Sequence, residues 1–273
     1  MLMGEETLQT CLSAAARDPR ATALFCDIDG TISPIVADPD AAEVPTEFRT
    51  VLATLAQHLG LLAFVTGREL AEGREMIDVA GAAYVGQHGF ETMDPGGTTQ
   101  GAAAAEPYVA AVQESARRAE QLAGRLPGLI IQNKRLMFDI HYRKAADPVA
   151  ALGAIEDEIV APARAAGLAV ATGHFVVEVL PPLPMNKGTA VQELLGAHPQ
   201  IVTALVFGDD LTDTTAFVVV REWAAKAPER LACAVAALTE ETPEAVRKTS
   251  DVWVAATPGV LAALKQLLTA VGG

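Results

Sequence analysis

Two hydrophobic rhythms alternate along the chain. Apolar runs at 23–28, 61–66, 203–207 and 231–236 have the continuous character of strands buried on both faces. Between them, apolar side chains recur every three or four positions at 5–17, 45–59, 69–80, 188–195 and 258–268. That spacing predicts amphipathic helices. In 45–59 the inward stripe is Phe48, Val51, Leu52, Leu55 and Leu59, and Gly60 stops it. In the first helix the stripe is Leu8, Leu12, Ala15 and Ala16, ended by Asp18-Pro19. Further elements are expected at 84–85, 214–220 and 251–254. Strands alternating with helices predict an α/β fold, a doubly wound parallel sheet with a helix layer on each face.

The rhythm changes after the turn-rich stretch Met93 to Gly97, which reads as a linker. Helical spacing at 107–126 and 147–166 is interleaved with strand pairs at 129–132 with 136–142 and at 168–171 with 175–179, the latter pair around Thr172-Gly173-His174. This predicts an inserted α+β domain of helix, two strands, helix, two strands. Pro181-Pro182 marks the return. The expected organisation is a core of 1–92 and 180–273 with an insert at 93–179.

Composition narrows the function. The 273 residues hold 20 Lys and Arg against 34 Asp and Glu, a net charge of -14. Such a chain repels nucleic-acid phosphates and anionic lipid surfaces, so a small-molecule partner is expected, with no nucleic acid and no membrane. The three scattered cysteines, Cys11, Cys26 and Cys233, form neither a disulfide framework nor a zinc motif. No run approaches the roughly 18 apolar residues of a membrane span, and the first residues lack a signal-peptide pattern. A cytoplasmic monomer is expected.

The candidate chemistry sits at strand ends, where open α/β sheets bind ligands. Asp27 and Asp29 lie two apart in Asp27-Ile28-Asp29-Gly30-Thr31, so strand geometry turns both carboxyl groups to one side. One can attack phosphorus and the other can handle a proton. Alone, the pair equally suits a capped turn or a divalent-metal motif. Gly30 permits a sharp turn, and Thr31 can bond an anion or the carboxylates. Thr66, with the amides of Gly67 and Arg68, offers a phosphate cradle or an ordinary helix cap. Lys187 is a cation at a helix start, which the dipole disfavours unless an anion compensates. Asp209, Asp210 and Asp213 concentrate negative charge and call for a cation such as Mg2+, held by Asp209, Asp27 and the main-chain carbonyl of Asp29. His88, His141 and His174 have the wrong spacing for a zinc site.

In order along the chain, Asp27-Ile28-Asp29-Gly30-Thr31, Val65-Thr66-Gly67, Asn186-Lys187-Gly188 and Gly208-Asp209-Asp210-Leu211-Thr212-Asp213 resemble the four motifs of haloacid-dehalogenase-type phosphatases. The insert resembles the αββαββ cap of their sugar-phosphatase branch. The resemblance implies Asp27 as nucleophile, Asp29 as acid/base, Thr66, Gly67, Arg68 and Lys187 on phosphate, and Asp209 on magnesium, with Asp210 and Asp213 in or near its outer shell. Gly86-Gln87-His88-Gly89, Lys134, His141-Tyr142-Arg143 and Glu178 narrow the similarity to trehalose-6-phosphate phosphatases. That similarity implies Gln87, His88, Gln132, Lys134, Arg143 and Glu178 as substrate-binding residues.

Three segments, four positions in all, depart from that family. Gln132 replaces the Glu of a Glu-x-Lys pair, Leu180 replaces an Arg after Glu178, and Thr214-Thr215 replace an acidic pair. A Gln keeps an acceptor but loses the charge and adds donors. The implied substrate is a phosphorylated non-reducing disaccharide, trehalose-6-phosphate first, with a trehalose-like pseudo-disaccharide such as validoxylamine A 7'-phosphate as the alternative. A non-catalytic sugar-phosphate binder and a phosphotransfer receiver are weaker alternatives.

Overall fold

The structure is a computed structural model and describes residues 3–36, 38–173, 175–240 and 242–272. His174, in the expected turn of the insert, lies outside the described residues. The chain divides into two compact units, 1–100 with 185–273, and 101–184.

The first unit begins with α1 (Met3–Arg17), β1 (Thr22–Cys26), α2 (Thr46–His58), β2 (Leu61–Val65), α3 (Leu70–Ile77) and β3 (Ala83–Gly86). β4 (Glu91–Met93) and β5 (Thr99–Gly101) follow. The stretch read as a linker at 93–97 instead ends β4 and makes most of the turn to β5. Asp94 closes it, its carbonyl accepting from Gly97 at 2.9 Å and its Oδ1 from the Thr98 amide at 2.9 Å. A Gly- and Asp-rich turn and a linker have the same composition, so the strands were hidden by their shortness.

The second unit comprises α4 (Val109–Ala123), β6 (Ile130–Asn133), β7 (Phe138–His141), α5 (Pro148–Ile155), α6 (Ala161–Ala165), β8 (Ala169–Gly173) and β9 (Val176–Leu180). Its strands form one antiparallel sheet in the order β6-β7-β9-β8. Phe138, Ile140, Val177 and Val179 turn one face of that sheet onto the helices through Val112, Ala116, Ile155 and Ile159. The helix expected at 147–166 is interrupted by a π-helical stretch at Glu156–Val160, and 103–108 is 3-10 helix preceding α4, with Pro107 inside it.

The first unit resumes with α7 (Lys187–Ala197), β10 (Thr203–Gly208), α8 (Asp213–Ala225), β11 (Leu231–Leu238), α9 (Glu244–Thr249), β12 (Val252–Ala255) and α10 (Ala256–Gly272). Its sheet runs β12-β11-β10-β1-β2-β3-β4-β5, parallel from β12 to β3 and antiparallel between β3 and β4. Side chains alternate strictly between two cores. Leu24, Cys26, Phe64, Leu205 and Phe207 pack under α1, α2 and α10, whereas Phe25, Val65, Ala204 and Val206 pack under α7 and α8. Burial on both faces explains why these strands read as unbroken apolar runs. The α/β doubly wound core with a separate α+β insert, expected from the sequence, is the architecture observed. Besides β4 and β5, α9, six residues long, went unread.

β1 lies between β2 and β10, so the chain leaves it in one direction and returns on its other side. That is a topological switch point, with a crevice beyond the carboxyl ends of the strands. Register pairs Cys26 with both Phe64 and Phe207, which sets Asp27 level with the ends of both neighbours.

Candidate active site

Asp27 leaves the end of β1 with its amide bonded to the Phe207 carbonyl at 2.9 Å. Asp27 is 5% exposed, and a buried carboxylate would be costly without compensation. Lys187 supplies it: Nζ lies 2.7 Å from Asp27 Oδ1 and 2.8 Å from Asp213 Oδ1. Asn186 caps α7 in a reciprocal capping box with Thr189, and this fixes Lys187 in the first helical position. The dipole would disfavour a cation there, and the two carboxylates are the compensation the sequence called for. Burial pushes the Asp27 carboxyl up to about 7, opposed by Lys187 and reinforced by Asp213 and Asp29. Burial pulls Lys187 down, but Asp213 and Asp27 outweigh it and raise it overall.

Gly30 makes the next approach possible. Its φ is +81°, and a Cβ there would fall 2.0 Å from Asp209 Oδ2. Only glycine admits both the left-handed backbone and the incoming carboxylate. Thr31 donates towards Asp27 Oδ2 at 3.3 Å and Asp209 Oδ1 at 3.4 Å, bridging the two acids. Asp213 accepts from the amides of Asp209 and Asp210 at 3.1 Å each, which shapes the loop after β10. Asp210 turns inward on its own loop and bonds the Leu211 amide.

Asp27, Asp209 and Asp213 each offer a carboxylate oxygen within 4.8 Å of the others, and all three are buried. Asp209 is held well above the usual carboxylate range by burial first, then by Asp27, Asp213 and Asp210. Three desolvated carboxylates served by one lysine make an all-oxygen donor set of the kind hard divalent cations take. The residues present fit such an ion.

Asp29 lies outside this buried group, its side chain 39% exposed. Both its oxygens are held by Arg68, at 2.7 Å from Nε and 2.8 Å from Nη2. Arg68 also reaches Glu72 and the Pro39 carbonyl, partners that sequence reasoning missed. Each is remote or one turn along, with no motif to flag it. Thr66 Oγ1 accepts from the Arg68 amide at 3.2 Å, and Thr66 is 4% exposed at the end of β2. Gly67 is fixed by His88, since a Cβ on Gly67 would stand 2.7 Å from His88 Nε2. Gln87 and His88 are both buried and both left-handed, with φ of 47° and 57°. Their amides bond the carbonyls of Arg68 and Thr66, so this segment braces the Thr66 loop. Two consecutive non-glycine left-handed residues carry backbone strain that the surrounding packing must hold in place.

Thr215, part of one family departure, accepts from the Gly188 amide at 2.9 Å and so ties α8 to the start of α7. The remaining expected residues belong to the second unit. Gln132 Oε1 accepts from His141 Nε2 at 3.0 Å, Lys134 pairs with Asp139, Arg143 stacks 4.9 Å over the Phe175 ring, and Glu178 stands on β9 opposite Asp139.

The fold is similar to that of a haloacid dehalogenase-like hydrolase from Bacteroides thetaiotaomicron, which superposes with a TM-score of 0.61 at 16% identity, covering 90% of this chain and 99% of that one. The trehalose-phosphatase family model matches residues 25–251, and the chain belongs to that family. A trehalose-phosphate phosphatase of Mycobacterium avium is 38% identical over 214 residues, 74% of this chain and 52% of that protein. The chain thus spans about half the length of the curated relatives it matches. The C-terminal domain of a Candida albicans trehalose-6-phosphate phosphatase superposes with a TM-score of 0.78 at 22% identity, covering 96% of each chain.

Proposed function

We propose that the chain is a magnesium-dependent phosphomonoesterase that releases phosphate from a phosphorylated non-reducing disaccharide, trehalose-6-phosphate foremost. The observation that carries this reading is Asp27, a buried carboxylate at the switch-point strand end, with Lys187 2.7 Å away and Asp29 two residues on. Family membership supports the same substrate class.

Asp27 attacks phosphorus, forming a P–O bond to its carboxylate as the bond from phosphorus to the sugar oxygen breaks. Asp29 gives its proton to the departing sugar oxygen, then takes one from the water that hydrolyses the aspartyl-phosphate. Arg68 must release at least one Asp29 oxygen for this transfer. Thr66 and the Gly67 and Arg68 amides hold phosphoryl oxygens, and Lys187 neutralises charge beside the nucleophile. When bound by Asp27, Asp209 and the Asp29 carbonyl, with Asp213 and Asp210 close by, Mg2+ would supply positive charge against the repulsion between phosphate and carboxylate. Gln87, His88, Gln132, Lys134, Arg143 and Glu178 are assigned to the sugar.

None of the described helices is long and apolar enough to cross a membrane. Three free buried cysteines favour a reducing, cytoplasmic setting, and we expect a monomer. A phosphate-release screen with magnesium tests the reading, comparing trehalose-6-phosphate, sucrose-6-phosphate, glucose-6-phosphate and validoxylamine A 7'-phosphate. Preference for trehalose-6-phosphate is expected. Preference for glucose-6-phosphate contradicts the disaccharide assignment, and preference for validoxylamine A 7'-phosphate replaces the sugar while keeping the chemistry.

A further inference from the structure

One row of the second unit's sheet carries an acid that neither the motifs nor the reaction uses. In register, Gln132 on β6 faces Asp139 on β7, and Asp139 faces Glu178 on β9. Residues directly opposite point to the same side of a sheet. Phe138 and Ile140, the neighbours of Asp139 on its own strand, pack into the helices, so Asp139 belongs to the other, polar face. His141 shares that face, as does Lys134, whose ammonium pairs with Asp139 Oδ2.

Asp139 is 4% exposed, and its second oxygen, Oδ1, is shielded with no hydrogen-bond partner in the protein. A desolvated carboxylate oxygen left unmatched is costly, more so than a neutral acceptor. A purely structural ion pair with Lys134 would need only Oδ2. Neither neighbour in the row bonds Oδ1: Glu178 adds like charge, and Gln132 Oε1 accepts from His141. An orphaned acceptor between residues of sugar-binding chemistry, on a polar sheet face, has the character of a ligand site.

We propose that Asp139 is a specificity-determining residue whose Oδ1 accepts a hydrogen bond from a hydroxyl of the substrate's sugar. It places a carboxylate acceptor on β7 directly opposite Gln132 on β6, within reach of Lys134. The inference rests on the proposed sugar-phosphatase activity and extends it by a residue outside the family motifs.

The test compares kcat and KM for trehalose-6-phosphate and for p-nitrophenyl phosphate, which has no sugar, in wild type, Asp139→Asn, Asp139→Ala and the exchange Gln132→Glu/Asp139→Asn. Loss of a charged hydrogen bond should raise KM for the disaccharide phosphate about tenfold to a hundredfold in both single variants. Turnover of p-nitrophenyl phosphate should stay within about twofold, because the reacting groups are untouched. The exchange variant, which restores an acid to the row beside Lys134, should recover part of the preference. A merely structural Asp139 would change both substrates together.

If wild type prefers the disaccharide phosphate and both single variants keep that preference, the role of Asp139 is overturned while the enzyme reading stands. Should the single variants melt below the assay temperature, the same two-substrate comparison at a temperature where they stay folded decides: a selective loss for the disaccharide phosphate supports the acceptor, and an unchanged preference overturns it. A wild type that releases phosphate from p-nitrophenyl phosphate but favours no disaccharide phosphate contradicts the proposed function itself, and Asp139 falls with it.

Discussion

Arg68 grips Asp29 edge to edge, Nε on Oδ2 at 2.7 Å and Nη2 on Oδ1 at 2.8 Å. The guanidinium is itself anchored by Glu72 and the Pro39 carbonyl. Two forked bonds fix the plane of a carboxylate as no lysine can. An acid/base group that must serve both the leaving oxygen and the attacking water gains from such positioning. Arg68→Ala should therefore lower kcat about tenfold to a hundredfold, since a small misplacement of a reacting group costs that much. Arg68→Lys should recover only a fraction. Steady-state kinetics with p-nitrophenyl phosphate, a substrate free of sugar contacts, check this.

Lys187 neutralises two buried acids at once. Lys187→Met leaves Asp27 and Asp213 buried without their cation, and removing one partner of a buried ion pair costs about 3–5 kcal/mol. A urea midpoint well below wild type is the expected outcome, with no measurable phosphate release. Adding Asp213→Asn to that variant removes one orphaned charge and should return part of the stability.

The crowding of Asp27, Asp209 and Asp213 predicts that a divalent cation stabilises the fold. With Mg2+ at about a hundred times its dissociation constant, linkage gives about 2.7 kcal/mol, read as a rise in Tm over the chelator-treated protein. Asp209→Asn removes part of the repulsion, so its chelator-treated form should melt above that of wild type. It should also lose most of the Mg2+-dependent rise. An unchanged rise contradicts the assignment of Asp209.

Gly30→Ala places a Cβ where Asp209 Oδ2 now lies, on a residue with φ of +81°. Left-handed strain costs about 1–3 kcal/mol, and displacement of Asp209 should raise the magnesium concentration for half-maximal activity at least about tenfold. Magnesium titration of phosphate release together with thermal melting separates the two effects.

Much of the candidate site was legible in the chain because its residues sit at strand ends. Asp27, Thr66 and Asp209 each follow a buried apolar run, so reading the runs also located the residues. Lys187 was legible through a conflict, a cation at the positive end of a helix, which the two carboxylates resolve. What escaped was set by pairing across the fold. β4 and β5 are three residues each, too short to show a period, and their turn has the composition of a linker. The grip of Arg68 on Asp29 joins residues 39 apart in sequence. Asp139 alternates with core residues as any exposed strand residue does; only the register beside Gln132 and Glu178, and its unmatched oxygen, set it apart.

The central claim is that Asp27 is the nucleophile, and phosphate release by Asp27→Asn tests it most directly. The side chain keeps its shape but not its charge. With trehalose-6-phosphate and magnesium, release should fall to the level of the uncatalysed control while the variant melts as a folded protein. Turnover within about tenfold of wild type, when a lost covalent nucleophile should cost several orders of magnitude, contradicts the account.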